Sequence, residues 1–195
     1  MSLSDSILRK ARESAATKEQ FFSENAERIV ACAGAMAKAF TDEARLYVFG
    51  NGGSASDAQH VAVEFMHPII EKRPALPAIA LGSEIPLVTA IANDRDFSMA
   101  YAQQLRMLAR RGDMALAIST SGRSANVNRA LQAARELGLM TIGFSGKDGG
   151  RMPALCDHSF VVSSFSIHRI QETQETLLHV LWDAIHVIRG EEDVT

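Results

Sequence analysis

The chain contains few of the residues on which several classes of protein depend. Its 195 residues include two cysteines, Cys32 and Cys156, too few for a disulfide framework and too far apart for a local metal-ligand pair. There is no run of basic residues and the net charge is −3, which argues against direct binding of nucleic acid. No uncharged stretch is long enough to cross a membrane, and no basic segment followed by an apolar run opens the sequence. We therefore expect a cytoplasmic protein without a membrane partner.

What the sequence does contain is typical of a single α/β domain spanning residues 1–195. Apolar residues make up 47% of the chain and charged residues 22%, as in a globular protein with a full core. Short apolar segments alternate with segments of helical periodicity. The predicted strands are 46–49, 78–81, 114–119, 140–144 and 158–162, and the predicted helices are 55–67, 85–92, 97–109, 124–137 and 167–187. Five strands joined by helical crossovers imply a five-stranded parallel sheet flanked by helices on both faces.

A helical section precedes the first predicted strand. Residues 4–41 carry apolar side chains at helical spacing, among them Phe21, Phe22, Ile29 and Val30, and we expect two helical pieces. The alanine-rich run 33–37 is typical of close helix–helix contact. This section would pack either on its own sheet or against a partner subunit.

Two loops rich in serine and glycine each follow a predicted strand and precede a predicted helix. The first covers residues 50–56, and the second carries four hydroxyls in six residues, at Ser119, Thr120, Ser121 and Ser124. Backbone N–H groups at a helix N-terminus, together with hydroxyls, bind phosphate, whereas a helix cap needs only one such residue. Ligands of parallel sheets bind beyond the carboxyl ends of the strands, where both loops lie. The pattern therefore favours a phosphorylated small molecule.

His60 and Glu64 are four residues apart and share one face of the helix that follows the first loop. This spacing suits a metal pair, or an acid–base group with the residue that orients it, but surface pairs with the same spacing are common. Gln171 and His179 lie eight residues apart on roughly one face of the last helix, a pattern that a solvated face also shows.

A third polar pair closes a helix and begins a loop in the middle of the chain. Asn93 and Asp94 favour such a position for capping reasons, and they also have the groups that hydrogen-bond sugar hydroxyls. Spacing alone leaves both interpretations open.

These motifs, taken in order from about residue 45 to the end, resemble those of the sedoheptulose 7-phosphate isomerases, or phosphoheptose isomerases, of the sugar isomerase (SIS) superfamily. The segments that carry the resemblance are Gly50-Asn51-Gly52-Gly53-Ser54, Asp57-Ala58-Gln59-His60 with Glu64, Ala92-Asn93-Asp94, Ile118-Ser119-Thr120-Ser121-Gly122 with Ser124-Ala125-Asn126-Val127, Gly146-Lys147-Asp148-Gly149-Gly150, and Arg169-Ile170-Gln171-Glu172 with His179. Each segment alone is modestly specific, but together they are highly specific.

The resemblance implies a three-layer αβα SIS fold and a homotetramer with active sites at the subunit boundaries. It implies an isomerase that converts sedoheptulose 7-phosphate to D-glycero-D-manno-heptose 7-phosphate, a seven-carbon sugar phosphate on the way to lipopolysaccharide. By the same resemblance Glu64 and His179 are the catalytic acid–base pair. Phosphate ligands would be Ser119, Thr120, Ser121 and Ser124, and the rest of the substrate would contact Asn51, Gly52, Gly53, Glu64, Asn93, Asp94 and Gln171. The zinc-binding positions, for one Zn²⁺ per subunit, match His60, Glu64, Gln171 and His179.

The chain also departs from the isomerase pattern. His168 stands where these isomerases often carry an acidic residue, and Phe65-Met66-His67-Pro68 follows Glu64 without the second glutamate seen in some members. Two segments, 73–81 and 89–95, also resemble the related protein that binds the replication initiator DnaA. A non-enzymatic DnaA-binding scaffold is therefore the alternative, with another phosphosugar isomerase or a sugar-phosphate sensor as further alternatives. The scaffold protein lacks the glutamate and the second histidine, which favours the enzyme.

Overall fold

The computed structural model describes residues 2–69 and 72–193, which form a parallel sheet between two layers of helices. The strands are β1 (Leu46–Gly50), β2 (Ala78–Ala80), β3 (Met114–Ser119), β4 (Met140–Gly146) and β5 (His158–Val162). The helices are α1 (Leu3–Thr41), α2 (Gly53–Met66), α3 (Ile85–Asp94), α4 (Ala100–Leu108), α5 (Ala125–Leu137) and α6 (Ile167–Ile188), with short 3-10 turns at Phe97–Met99 and Met152–Leu155. The predicted αβα architecture with five parallel strands is confirmed.

The strand order β2-β1-β3-β4-β5 places the first and third strands side by side at the centre of the sheet. Their register pairs Leu46 with Met114 and Gly50 with Ile118, so both strands end at the same edge. After β1 the chain crosses to one side of the sheet, and after β3 it crosses to the other. A crevice opens at such a switch point, beyond the carboxyl ends of the two strands.

The two faces of the sheet have separate apolar cores. On one face α1, α2 and α6 bury residues such as Met36, Phe65 and Leu181 against Val48 and Phe144. On the other face α4 and α5 bury Leu105 and Leu131 with Tyr47 and Phe49. Because successive side chains of a strand alternate between the faces, neighbouring residues of β1 serve different cores. Within the described residues no helix is both long and apolar enough to cross a membrane.

The front section is one helix of 39 residues, so the expectation of two pieces is wrong. A capping box between Ser2 and Asp5 begins it, and no proline interrupts it. Gly34 does not break it because the helix is supported on both sides of that point, by Ile29 and Met36 in the core. Within the chain the helix packs mainly on α6, while Leu3 and Ile7 remain exposed, so packing against a partner subunit stays a prediction.

Three other boundaries differ from the predicted ones for local reasons. Helix α2 begins at Gly53, two residues before the predicted start, because Gly52 supplies its N-cap. Helix α3 continues through Asp94, so Asn93 and Asp94 lie in its last turn and not in a loop. The segment predicted as one helix over 97–109 is a 3-10 turn followed by α4, and the side chain of Asp96 caps the turn.

Candidate active site

The two polar loops meet at the switch point because β1 and β3 are neighbours. Asn51, after β1, exchanges two side-chain hydrogen bonds with Asn126 in the first turn of α5, at 2.9 and 2.8 Å. The Tyr101 hydroxyl also donates to Asn51 Oδ1, at 3.2 Å. The paired amides hold one loop against the other, so part of the hydrogen-bonding capacity of Asn51 is used to stabilise the loops.

The second loop forms a cradle of hydroxyls before α5. Ser119 and Ser124 place their Oγ atoms 3.2 Å apart, and Ser121 Oγ accepts from the backbone N–H of Arg123. The Ser124 hydroxyl makes no capping bond to the helix, and no acidic residue lies in the first turn of α5. The helix N-terminus therefore keeps its positive end toward the loop, as an anion site requires.

Gly122 gives this loop its shape. Its φ of +60° lies in the left-handed region, and a Cβ at this position would lie 1.9 Å from the carbonyl oxygen of Gly149. The loop after β4 thus packs directly on the loop after β3, and only glycine fits between them. The segment 146–150, which the sequence resemblance singled out, supports the cradle.

His60 and Glu64 of α2 face His179 of α6, although 119 residues separate the two histidines. The Nε2 atom of His60 lies 3.3 Å from Oε1 of Glu64 and 3.4 Å from Nε2 of His179. One ligand atom from each of the three residues lies within 4.8 Å of the others. The helices meet here because both bury their apolar faces on the same side of the sheet, α2 through Phe65 and α6 through Leu177.

Gln171 precedes His179 by eight residues on α6, a little over two helical turns, and its side chain reaches the N-terminus of α2. Its Nε2 atom would be 2.3 Å from a Cβ built on Gly53, so the amide stands directly over that glycine. Gln171 thereby borders the glycine loop. Neither Asn93 nor Asp94 joins this group in the described part of the chain, where their side chains hydrogen-bond to each other at 2.8 Å.

Two carboxylates beside the cluster, Asp57 and Glu175, were given no role in the sequence analysis. Asp57 is half-buried, and burial, followed by the charge of Glu175, raises its pKa to about 6 against the lowering effect of His60. Asp57 Oδ2 has no hydrogen-bond partner within the described residues. Glu175 Oε1 lies 3.8 Å from Nδ1 of His60. The available signal was spacing, since Asp57 precedes His60 by three residues and Glu175 precedes His179 by four.

A cluster of two imidazoles and a carboxylate has the groups that bind a metal ion and that exchange protons with a bound molecule. The family model described as "SIS domain" matches residues 11–146 of the chain. Phosphoheptose isomerase of Thermodesulfovibrio yellowstonii is 43% identical over 96% of this chain and 94% of its own length.

Solved structures of phosphoheptose isomerases also match the chain. Phosphoheptose isomerase GmhA from Neisseria gonorrhoeae matches with a TM-score of 0.89 and 34% identity, over 97% of this chain and all of that one. The phosphoheptose isomerase from Francisella tularensis matches with a TM-score of 0.91 and 31% identity, over 96% of this chain and all of that one. The chain therefore belongs to the SIS domain family and, within it, to the phosphoheptose isomerases.

Proposed function

We propose that this chain interconverts sedoheptulose 7-phosphate and D-glycero-D-manno-heptose 7-phosphate by an aldose–ketose isomerisation. The observation that carries the proposal is the meeting of Glu64 and His179 with His60, within 4.8 Å, between helices α2 and α6. Relatives named phosphoheptose isomerase, at 42–45% identity, support it. No observation favours the DnaA-binding scaffold or the sensor.

The substrate phosphate would bind to the loop after β3, through the hydroxyls of Ser119, Thr120, Ser121 and Ser124. Ser119 is buried and the other three are partly exposed, which leaves donors at the surface of the cradle. The sugar would then extend along Gly52 and Gly53 toward the histidine cluster. Asn51 would offer the sugar the hydrogen-bonding capacity that its bonds to Asn126 do not use. Asn93 and Asp94 are exposed at the end of α3 and would be accessible to the sugar.

The donor set of the cluster fits a zinc ion. Zinc takes imidazole nitrogen and carboxylate oxygen at about 2.0–2.2 Å, so two ligands at a tetrahedral angle lie roughly 3.3 Å apart. The two separations that His60 makes, to Glu64 and to His179, are 3.3 and 3.4 Å. We infer one Zn²⁺ per subunit, held by His60, Glu64 and His179, with Gln171 as the fourth ligand. Zinc at this position supplies Lewis-acid stabilisation of the negative charge that develops on the sugar oxygens.

Two side chains carry the protons. From the ketose, Glu64 takes the proton on C1 while His179 delivers a proton to O2, which gives the 1,2-enediol. His179 then takes the proton on O1 and Glu64 returns a proton to C2, which gives the aldose. An imidazole has two ring nitrogens, and within the described residues only Nε2 of His179 is engaged, with His60. Nδ1 is therefore available for the exchange with the sugar oxygens.

The same proposal includes a homotetramer with active sites at the subunit boundaries. It is supported by exposed apolar side chains near the N-terminal ends of the two long helices, α1 and α6, with Leu3 78%, Ile7 59% and Phe165 83% exposed. Light scattering on the eluting protein should give four times the chain mass of 21.2 kDa. A monomer at micromolar concentration would contradict this part. In the cell the enzyme would act in the cytoplasm, on the route to the heptose of lipopolysaccharide.

Replacing Glu64 tests the proposal. Glu64→Gln keeps the shape and hydrogen-bonding reach of the side chain but removes the base. We expect turnover of sedoheptulose 7-phosphate to fall about 10²–10⁴-fold, the contribution typical of a general base. Binding of the sugar phosphate should stay within a few-fold of the wild type. Glu24→Gln, on the exposed side of α1, is the matched control and should keep full activity. A fully active Glu64→Gln enzyme would overturn the mechanism.

A further inference from the structure

A second polar cavity lies on the outer face of α5, and no residue assigned above to catalysis, substrate or metal lines it. Its volume is about 240 Å³. Ala125, Asn128, Arg129 and Gln132 line it from α5, at the spacing of one helix face. The other walls come from the 3-10 turns on either side of this helix and from Arg123.

Three arginines surround the cavity: Arg123, Arg129 and Arg151. Arg123 pairs with Asp148 at 2.5 Å, and Arg129 donates to the Ser98 hydroxyl at 2.5 Å and also attracts Asp96. Arg151 is exposed and forms no ion pair within the described residues. Both acidic residues stand outside the lining, and even when they are counted, three guanidinium groups leave the surroundings positive. The cavity therefore attracts an anion.

Asn128 adds a neutral polar group to the lining. It is only 8% exposed, and its Nδ2 donates to the carbonyl of Gly122 at 3.1 Å. Its Oδ1 has no hydrogen-bond partner within the described residues. That oxygen is fully buried, so Asn128 shapes the wall of the cavity but offers a ligand no accessible acceptor. Charge and size therefore select the ligand, and the three arginines favour an anion.

Size narrows the chemical class further. Cavities that hold drug-sized ligands measure about 300–1,000 Å³, so 240 Å³ suits a compact molecule and not a dinucleotide. Guanidinium groups bind phosphate oxygens in paired hydrogen bonds, which makes phosphate the best-matched anion. We propose that this cavity is a second anion site of the chain, for a compact phosphate-bearing small molecule. The proposal is independent of the isomerase activity, since it concerns other side chains.

Calorimetry with inorganic phosphate and with sedoheptulose 7-phosphate tests the site on the full chain. Two variants separate the cavity from the cradle: Arg129→Gln with Arg151→Gln, and Ser124→Ala. We expect two binding events per chain in the wild type, of which the arginine variant weakens one at least tenfold while Ser124→Ala weakens the other. Arg106→Gln, which removes an arginine outside the cavity, is the control for net charge and should leave both events unchanged.

Each outcome decides the proposal. If the arginine variant keeps the binding stoichiometry and affinities of the wild type for both ligands, the site does not exist. If the arginine variant loses one binding event with inorganic phosphate, the phosphate group alone is sufficient for binding at the site. If it loses an event only with sedoheptulose 7-phosphate, binding at the site also needs the sugar. Retention of the Ser124-dependent event in the arginine variant shows that this protein is folded.

Discussion

At the scale of the residue, His60 contacts more of the candidate site than its neighbours do, since it faces Glu64, His179 and Glu175. Its Nε2 faces Glu64 and His179, and its Nδ1 faces Glu175, so one imidazole contacts the acid–base pair on one side and a carboxylate on the other. Carboxylates behind a histidine fix its ring and its tautomer. The His60 side chain is only partly exposed, which limits the access of water to these contacts.

The raised pKa of Asp57 predicts a pH-dependent cost in stability. Its pKa of about 6 in the folded chain exceeds the ordinary 3.8, so the folded state holds this proton more tightly than the unfolded state does. The charged carboxylate therefore lowers the free energy of unfolding above the folded pKa, and this penalty disappears as the pH falls below the unfolded value. For Asp57→Asn in chelator-treated protein, we expect a higher Tm than the wild type at about pH 8 and a gap that has largely closed at about pH 4.

Thermal melts across that range, with Glu24→Gln as the exposed control, measure the difference. A constant gap between Asp57→Asn and the wild type at all pH values would show that packing, and not ionisation, distinguishes them.

The close contact between Gly53 and Gln171 predicts that a substitution at Gly53 lowers activity without lowering stability. In Gly53→Ala the new methyl would lie 2.3 Å from Nε2 of Gln171, and the three nearest atoms all belong to that side chain. The flexible amide should move away, so the fold survives while Gln171 leaves the site. We expect kcat to fall at least about tenfold with a Tm within a few degrees of the wild type, since only a flexible side chain must yield.

Gly34→Ala is the matched control, because it sits inside α1 and, apart from that helix's own backbone, no atom of the described residues lies within 4 Å of its Cβ. It should raise stability by about 0.5–1 kcal/mol and keep full activity. If Gly53→Ala keeps the wild-type kcat, the placement of Gln171 does not matter to the reaction.

At the scale of the element, the loop between β3 and α5 depends on its neighbour after β4. The carbonyl of Gly149 fills the space where a side chain at position 122 would lie, and the backbone N–H of Arg151 donates to the carbonyl of Gly122 at 3.0 Å. The cradle is thus built from two crossovers of the sheet. Its shape is fixed before any ligand arrives, which lowers the entropic cost of binding.

Gly122→Ala should therefore damage both stability and phosphate binding. Left-handed backbone costs a non-glycine residue about 1–3 kcal/mol, and the overlap with Gly149 adds to this cost. Gly112→Ala has the same kind of strain, with φ at +93°, but no atom within 4 Å of its Cβ. We expect urea denaturation to show the larger loss for Gly122→Ala, and calorimetry to show that only this variant loses phosphate binding. Equal effects of the two substitutions would contradict the role of the loop-to-loop contact.

The elements also show what the sequence could predict. Strand β3 has the predicted bounds because a continuous apolar run marks a buried strand, and β5 has them because Phe160-Val161-Val162 is such a run after two polar residues. The front section is one helix and not two, because alanine and methionine are strong helix formers and the packing of Met36 and Phe40 outweighs the cost of Gly34. Helix α3 takes in Asn93 and Asp94 because capping residues mark a helix end only to within a turn.

At the scale of the molecule, the site exists because the order of strands brings distant segments together. The first loop follows β1, the cradle follows β3, and His179 lies on the last helix, yet all border one edge or one face of the sheet. Strand order follows from crossovers that local sequence does not encode, so spacing alone could not pair His60 with His179. The resemblance to the isomerases supplied that pairing. The raised pKa of Asp57 depends on burial, which no spacing reveals.

The central claim is the isomerisation itself, and a single reaction followed by NMR tests it most directly. Purified protein is incubated with sedoheptulose 7-phosphate, with and without added Zn²⁺, and the anomeric signals of the product are recorded over time. The account predicts that D-glycero-D-manno-heptose 7-phosphate forms, and forms faster when zinc is present. A folded protein that binds the sugar phosphate but produces no aldose under either condition would contradict it.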